Sequence, residues 1–64
     1  MCLSTVYKVN GAERELFAKN IQSVVNNADG ELRFRDIMGI EYSLKGRILD
    51  IDLVGNKIDI TENA

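Results

Sequence analysis

The stretch that decides the fold is Glu31-Leu32-Arg33-Phe34-Arg35-Asp36-Ile37-Met38-Gly39-Ile40-Glu41-Tyr42-Ser43-Leu44-Lys45. Apolar and polar residues alternate on both sides of Ile37-Met38-Gly39, the period of two that marks a half-buried strand. With Ile37-Met38-Gly39 as a three-residue loop and Gly39 in the left-handed conformation, the stretch becomes a hairpin of one register. Phe34 then faces Tyr42, and Leu32 faces Leu44, on the inner side. Arg35 faces Glu41 on the outer side, and Glu31 faces Lys45 there or at the strand end. An aromatic pair and two opposite-charge pairs in one register support each other.

Turn signals recur on either side of this hairpin at Asn10-Gly11, Asp29-Gly30 and Gly55-Asn56. Between them lie short runs rich in Val, Ile, Leu, Tyr and Phe, as strands require. No segment holds a 3.6-residue period long enough for a helix; Glu13 to Asn20 comes nearest and is short. A two-residue loop at Gly55-Asn56 sets Val54 against Lys57, Leu53 against Ile58, Asp52 against Asp59 and Ile51 against Ile60. The Asn10-Gly11 turn places Lys8 against Glu13, and the Asp29-Gly30 turn places Val25 against Phe34. The expected fold is all-β: five or six short antiparallel strands in a meander, as an SH3-like barrel or a strongly bent sheet. An open sheet that pairs with a second chain is the rival architecture.

Residues 1–64 suffice for one domain, and cores of this size supply only about 3–5 kcal/mol. Such domains usually gain stability from disulfides, a metal or a partner subunit. A single cysteine and no histidine close the routes through an intrachain disulfide and a self-contained zinc finger. Oligomerisation, or a metal shared between chains, remains. The net charge of −2 gives no overall basic field of the kind nucleic-acid binders use. No run of 18 apolar residues is present, so no membrane span is expected. The first residues lack the basic and apolar regions of a secretory signal, and Cys at position 2 excludes N-myristoylation. The expected compartment is the reducing cytoplasm.

Three groups of residues carry possible chemistry. Asp50, Asp52 and Asp59 form an acidic face, either a weak divalent-cation or acid/base site or a solvated strand face relieved by Lys45 or Arg47. Neither EF-hand spacing nor a nucleophile beside a base accompanies them. Arg33, Arg35, Lys45 and Arg47 form a basic stripe that suits RNA backbone contact. Cross-strand pairing of Arg35 with Glu41 and of Lys45 with Glu31 is the competing reading. Phe34 and Tyr42 lie in phase with Leu32 and Leu44, as core residues do.

Cys2 is the third. Lone cysteines are often inert and buried, but initiator methionine is usually removed before a small second residue. Cys2 at the mature terminus would offer a thiolate and an α-amine that chelate one metal in a five-membered ring, with the Leu3 amide nitrogen as a third donor. Free thiols and α-amines have pKa values of about 8.5 and 7.7–8.0, so a metal displaces their protons near neutrality. A flat N/S donor set favours Ni(II) or Cu(II), whereas Zn(II) prefers a tetrahedron. One chain supplies too few ligands; two chains about a two-fold axis supply four or more.

The opening Met1-Cys2-Leu3-Ser4-Thr5-Val6-Tyr7 resembles the start of the CooT family of small nickel-binding proteins. The layout is similar beyond it: an early Gly turn, an acidic stretch, a Val-Val strand, then Gly46-Arg47-Ile48 and Ile51-Asp52-Leu53 before a short closing strand. The Met-Cys-Leu opening is the sharp motif; the rest is a general small-β pattern. The resemblance implies a homodimer that binds Ni(II) at its interface through Cys2, with a nickel enzyme as client. In the type member that client is carbon monoxide dehydrogenase. It implies a metallochaperone or nickel store in place of an enzyme. Members of the family have also carried a predicted RNA-binding label. Retention of Met1 would remove the α-amine from the donor set.

Overall fold

Phe34 lies opposite Tyr42 and Leu32 opposite Leu44, in the register expected for the central hairpin. The computed structural model describes residues 3–63. It contains β1 (Ser4–Asn10), β2 (Glu13–Asn26), β3 (Glu31–Asp36), β4 (Glu41–Asp52) and β5 (Lys57–Glu62). Each strand pairs antiparallel with the next, and β1 also pairs with β5, which closes the sheet into a barrel. This closing pair is parallel. An up-and-down meander with an odd number of strands requires that, because its first and last strands run the same way. Closure is therefore the architecture adopted, and the rival open sheet is not.

Two strands are longer than expected, β2 with 14 residues and β4 with 12. Both serve two neighbours by bending. Asn20 takes a left-handed φ of 58°, and the β2–β3 register slips between Ile21 and Ser23. Asn tolerates that conformation better than most residues, and such a bulge sharpens a strand's bend. β2 thus pairs with β1 up to Ile21 and with β3 from there on. β4 changes partner from β3 to β5 at Lys45-Gly46.

The bends wrap the sheet around a core of Val6, Ala18, Ile21, Leu32, Phe34, Leu44, Ile58 and Ile60. Phe17 packs edge-on against Phe34 with ring centroids 5.6 Å apart, and against Tyr42 at 6.1 Å. Phe34 and Tyr42 are thus part of the core and its margin, as their phase indicates. Burying each large apolar side chain contributes about 1.5–3 kcal/mol.

The central loop forms as expected. Asp36 N donates to Ile40 O at 3.0 Å, Gly39 N donates to Asp36 O at 3.0 Å, and Gly39 has φ 85°. The loop after β2 repeats this form: Asn27 N donates to Glu31 O at 2.8 Å, Gly30 N to Asn27 O at 3.0 Å, and Gly30 has φ 89°. That corrects the expected Asp29-Gly30 turn. Three loop residues instead of two move the register by one, so Val24 faces Phe34 and Val25 faces Arg33. A one-residue slip exchanges the faces, and Val25 is 48% exposed.

The outer hairpins also depart from expectation. The first loop is Gly11-Ala12, so Lys8 faces Glu15 in place of Glu13. The last loop has four residues, 53–56, and pairs Asp52 with Lys57, Ile51 with Ile58 and Asp50 with Asp59. Asp52 causes the change. Its Oδ1 accepts Val54 N at 3.1 Å and Gly55 N at 2.8 Å, which opens the turn two residues early. Leu53 consequently sits in the turn, 83% exposed, and not on the inner face against Ile58.

Candidate functional site

The chain enters the barrel at Ser4, and every element around that point is fixed by backbone pairing. Ser4 faces Ile21 of β2, Ile21 faces Asp36 at the end of β3, and Ile37 N donates to Asn20 O at 2.9 Å. On the other side Thr5 faces Lys57 of β5, and Thr5 N donates to Asn56 O at 2.9 Å. The turns 37–40 and 53–56 therefore flank the start of β1. Neighbouring strands lie about 4.8 Å apart, so three spacings separate the two turns by roughly 15 Å along the wall. Leu3 is half-buried at this point. Cys2, the expected thiolate ligand, lies outside the described residues.

Both turns are uncharged and expose large apolar side chains. Ile37, Met38 and Ile40 are 54%, 81% and 53% exposed, and Leu53 and Val54 are 83% and 96% exposed. Turn tips are ordinarily polar, so large apolar side chains at these two are the exception to be explained. The turns at 11–12 and 27–30 lie elsewhere, at the far end of β1 and against Gly46, whose N donates to Gly30 O at 3.1 Å.

A buried carboxylate holds the first apolar turn. Asp36 is 6% exposed; its Oδ1 accepts Met38 N at 2.9 Å and Ile40 N at 3.0 Å, and its Oδ2 accepts Tyr42 Oη at 3.2 Å. This hydrogen bond to the carboxylate raises the Tyr42 pKa above its ordinary value, and desolvation adds to it. Sequence reading missed both the Asp36 network and the apolar rim. The usable signals were an Asp immediately before a loop and two consecutive large apolar residues within it.

The acidic face does not assemble into a metal site. Asp50 faces Asp59, but Arg14 binds Asp59 at 2.7 Å, and Asp52 is spent on its turn. Relief comes from Arg14 in place of the expected Lys45 or Arg47. No group of three or more His, Cys, Asp or Glu suited to a metal ion occurs among the described residues.

The basic stripe is outward-facing at all four positions, Arg33, Arg35, Lys45 and Arg47. Arg35 binds Glu41 at 2.8 Å, as expected. Glu31 binds Arg33 at 3.1 Å, although its register partner is Lys45. The expected Lys45–Glu31 pair is thus replaced, because Arg33 on the same strand reaches the carboxylate. Exposed pairs of this kind contribute about 0–1 kcal/mol.

The molecule is a minimal closed β-barrel with an apolar rim around the point where its chain enters. The family model described as CO dehydrogenase accessory protein CooT matches residues 1–61, and the chain belongs to the CooT family. Among solved structures, the chain is similar to a crystal structure assigned as CooT from Carboxydothermus hydrogenoformans. The two share 25% identity with a TM-score of 0.88, over 98% of this chain and 100% of the other. A comparison with curated proteins finds no match. Among the described residues, no helix is long and apolar enough to cross a membrane.

Proposed function

We propose that this protein is a Ni(II)-binding accessory protein, a metallochaperone or nickel store, that carries the ion between two copies of the chain. The observation that carries the reading is the CooT family match over residues 1–61, which includes Cys2 in its Met-Cys-Leu opening. Nickel is cargo here, and the chain is not an enzyme. Removal of Met1 leaves Cys2 with a free α-amine beside its thiolate, and the Leu3 amide nitrogen is a third donor. Two such sets about a two-fold axis complete a site that one chain lacks. Cu(II) fits the same flat donor set, and Zn(II) fits it less well.

The accessory role in the family description supports a carbon monoxide dehydrogenase as client, and we extend the reading to a comparable nickel enzyme in the cytoplasm. The apolar rim supports the reading, because it surrounds the chain's entry point with surface that a second copy can cover. RNA binding by Arg33, Arg35, Lys45 and Arg47 has less support, since Arg33 and Arg35 already hold carboxylates. Isothermal titration with Ni(II) tests the metal reading. Parent protein binds, and Cys2→Ser loses that binding while keeping the same circular dichroism; equal binding by both overturns the reading.

A further inference from the structure

We infer that the open edge of β2 at residues 22–26 takes up an extended segment of another protein as an added strand, and that Arg33 and Arg35 select a segment with acidic side chains at alternate positions. The inference is independent of the nickel reading and adds a partner surface to it. Because β2 and β4 change neighbours where they bend, each half of either strand has a partner on one side only, among the described residues. All but one of these half-strands carry charge, such as Arg14 and Lys19 on the first half of β2 and Glu41 and Asp50 on the two halves of β4. Charge is a common means by which natural sheets keep open edges from pairing. Gln22-Ser23-Val24-Val25-Asn26 carries none, and its two valines favour the extended chain. The backbone along it is poised to pair. Asn27 N donates to Glu31 O, which makes those residues a bonded pair. Bonding alternates along an antiparallel ladder, so Val25 turns its amide to β3, whereas Val24 and Asn26 turn theirs to the open side.

Charge selects the occupant. Ser23 and Val25 lie on the outer face in line with Arg35 and Arg33, and with Glu41 these residues line a shallow groove. An added strand lies two spacings, about 9.6 Å, from β3. A long arginine and an incoming glutamate bridge that distance over the short side chains of Ser23 and Val25. Arg33 and Arg35 already bind carboxylates, each through one nitrogen at 3.1 and 2.8 Å, and both are about half exposed. Each guanidinium therefore keeps N–H donors for a second carboxylate. A second copy of this chain fits poorly, because antiparallel pairing of two such edges sets the arginines of one protomer in line with those of its partner.

Amide hydrogen exchange followed by NMR on the full chain tests the inference. The probes are blocked synthetic peptides in which Val alternates with Glu or with Lys, and an oligouridylate RNA. The Val24 and Asn26 amides are expected to exchange freely in the protein alone and to slow by about tenfold or more with the Glu peptide, but not with the Lys peptide. Combining Arg33→Glu with Arg35→Glu is expected to reverse that preference. Asn26→Pro removes an amide that turns away from β3, a position where an edge strand tolerates proline. It is expected to keep the parent's thermal midpoint and to bind the Glu peptide about tenfold more weakly or worse. The exchange comparison on the parent stands whether or not either variant folds. Amides already protected in the protein alone, no slowing with the Glu peptide, equal slowing by both peptides, or slowing by the RNA in place of the Glu peptide would each overturn the inference.

Discussion

Tyr42 Oη donates a 3.2 Å hydrogen bond to Oδ2 of Asp36, so the barrel wall is tied to the loop that carries Ile37, Met38 and Ile40. The other oxygen of the same carboxylate takes the amides of Met38 and Ile40. One buried side chain therefore sets the conformation of half the apolar rim.

Replacing Asp36 with Ala leaves three donors without their acceptor. The expected cost is about 1–3 kcal/mol, a large share of the roughly 3–5 kcal/mol that so small a core provides. Urea denaturation measures it. Asp36→Asn keeps an acceptor for the two loop amides and is expected to lose less than Asp36→Ala. Equal stability of Asp36→Ala and the parent contradicts the role given to this carboxylate.

Two side chains make stability depend on pH in opposite directions. The Arg35 hydrogen bond is the main cause that lowers the Glu41 pKa from 4.5, against a smaller opposing desolvation. A depressed carboxyl contributes stability that is full above its unfolded value and lost as pH falls through its folded one. The Tyr42 pKa is raised from 10.0, first by the hydrogen bond to Asp36 and then by desolvation. Its contribution is full below the unfolded value and lost as pH rises through the folded one. Denaturation midpoints of Glu41→Gln should converge on the parent's in acid, and those of Tyr42→Phe in strong alkali. Differences that stay constant with pH would show that neither link operates.

Gly46 sits where β4 leaves β3 for β5. A Cβ there would overlap the Thr61 carbonyl oxygen and press on Glu62 Cα at 3.1 Å. Backbone cannot yield as a flexible side chain does, so Gly46→Ala is expected to cost about 1–3 kcal/mol, as overpacking does. A thermal midpoint equal to the parent's would mean that β4 and β5 separate there without penalty.

Much of the barrel was legible because alternation and charge agree along the chain. Leu32, Phe34, Tyr42 and Leu44 fix one register between them, and Arg35 with Glu41 confirms it from the outer side. The other three hairpins were not legible in detail. Two-residue and three-residue loops share the same Gly signal at Asp29-Gly30, and only backbone bonding of Asn27 with Glu31 separates them. At Gly55-Asn56 the competing signal was Asp52, whose side chain starts the turn early. Closure was not legible in pairwise patterns, because β1 and β5 lie at opposite ends of the sequence and pair parallel. The apolar rim was hidden for a related reason: Leu53 alternates correctly for a strand but belongs to a turn.

Cys2 carries the central claim, and native mass spectrometry during a Ni(II) titration of parent and Cys2→Ala addresses it most directly. It reads the mass of the N-terminus, the oligomer and the metal count in one spectrum. The account predicts a parent that lacks Met1 and saturates as a dimer with one nickel, and a Cys2→Ala variant that takes up none. A variant that binds nickel as the parent does, or a parent that binds none, contradicts it.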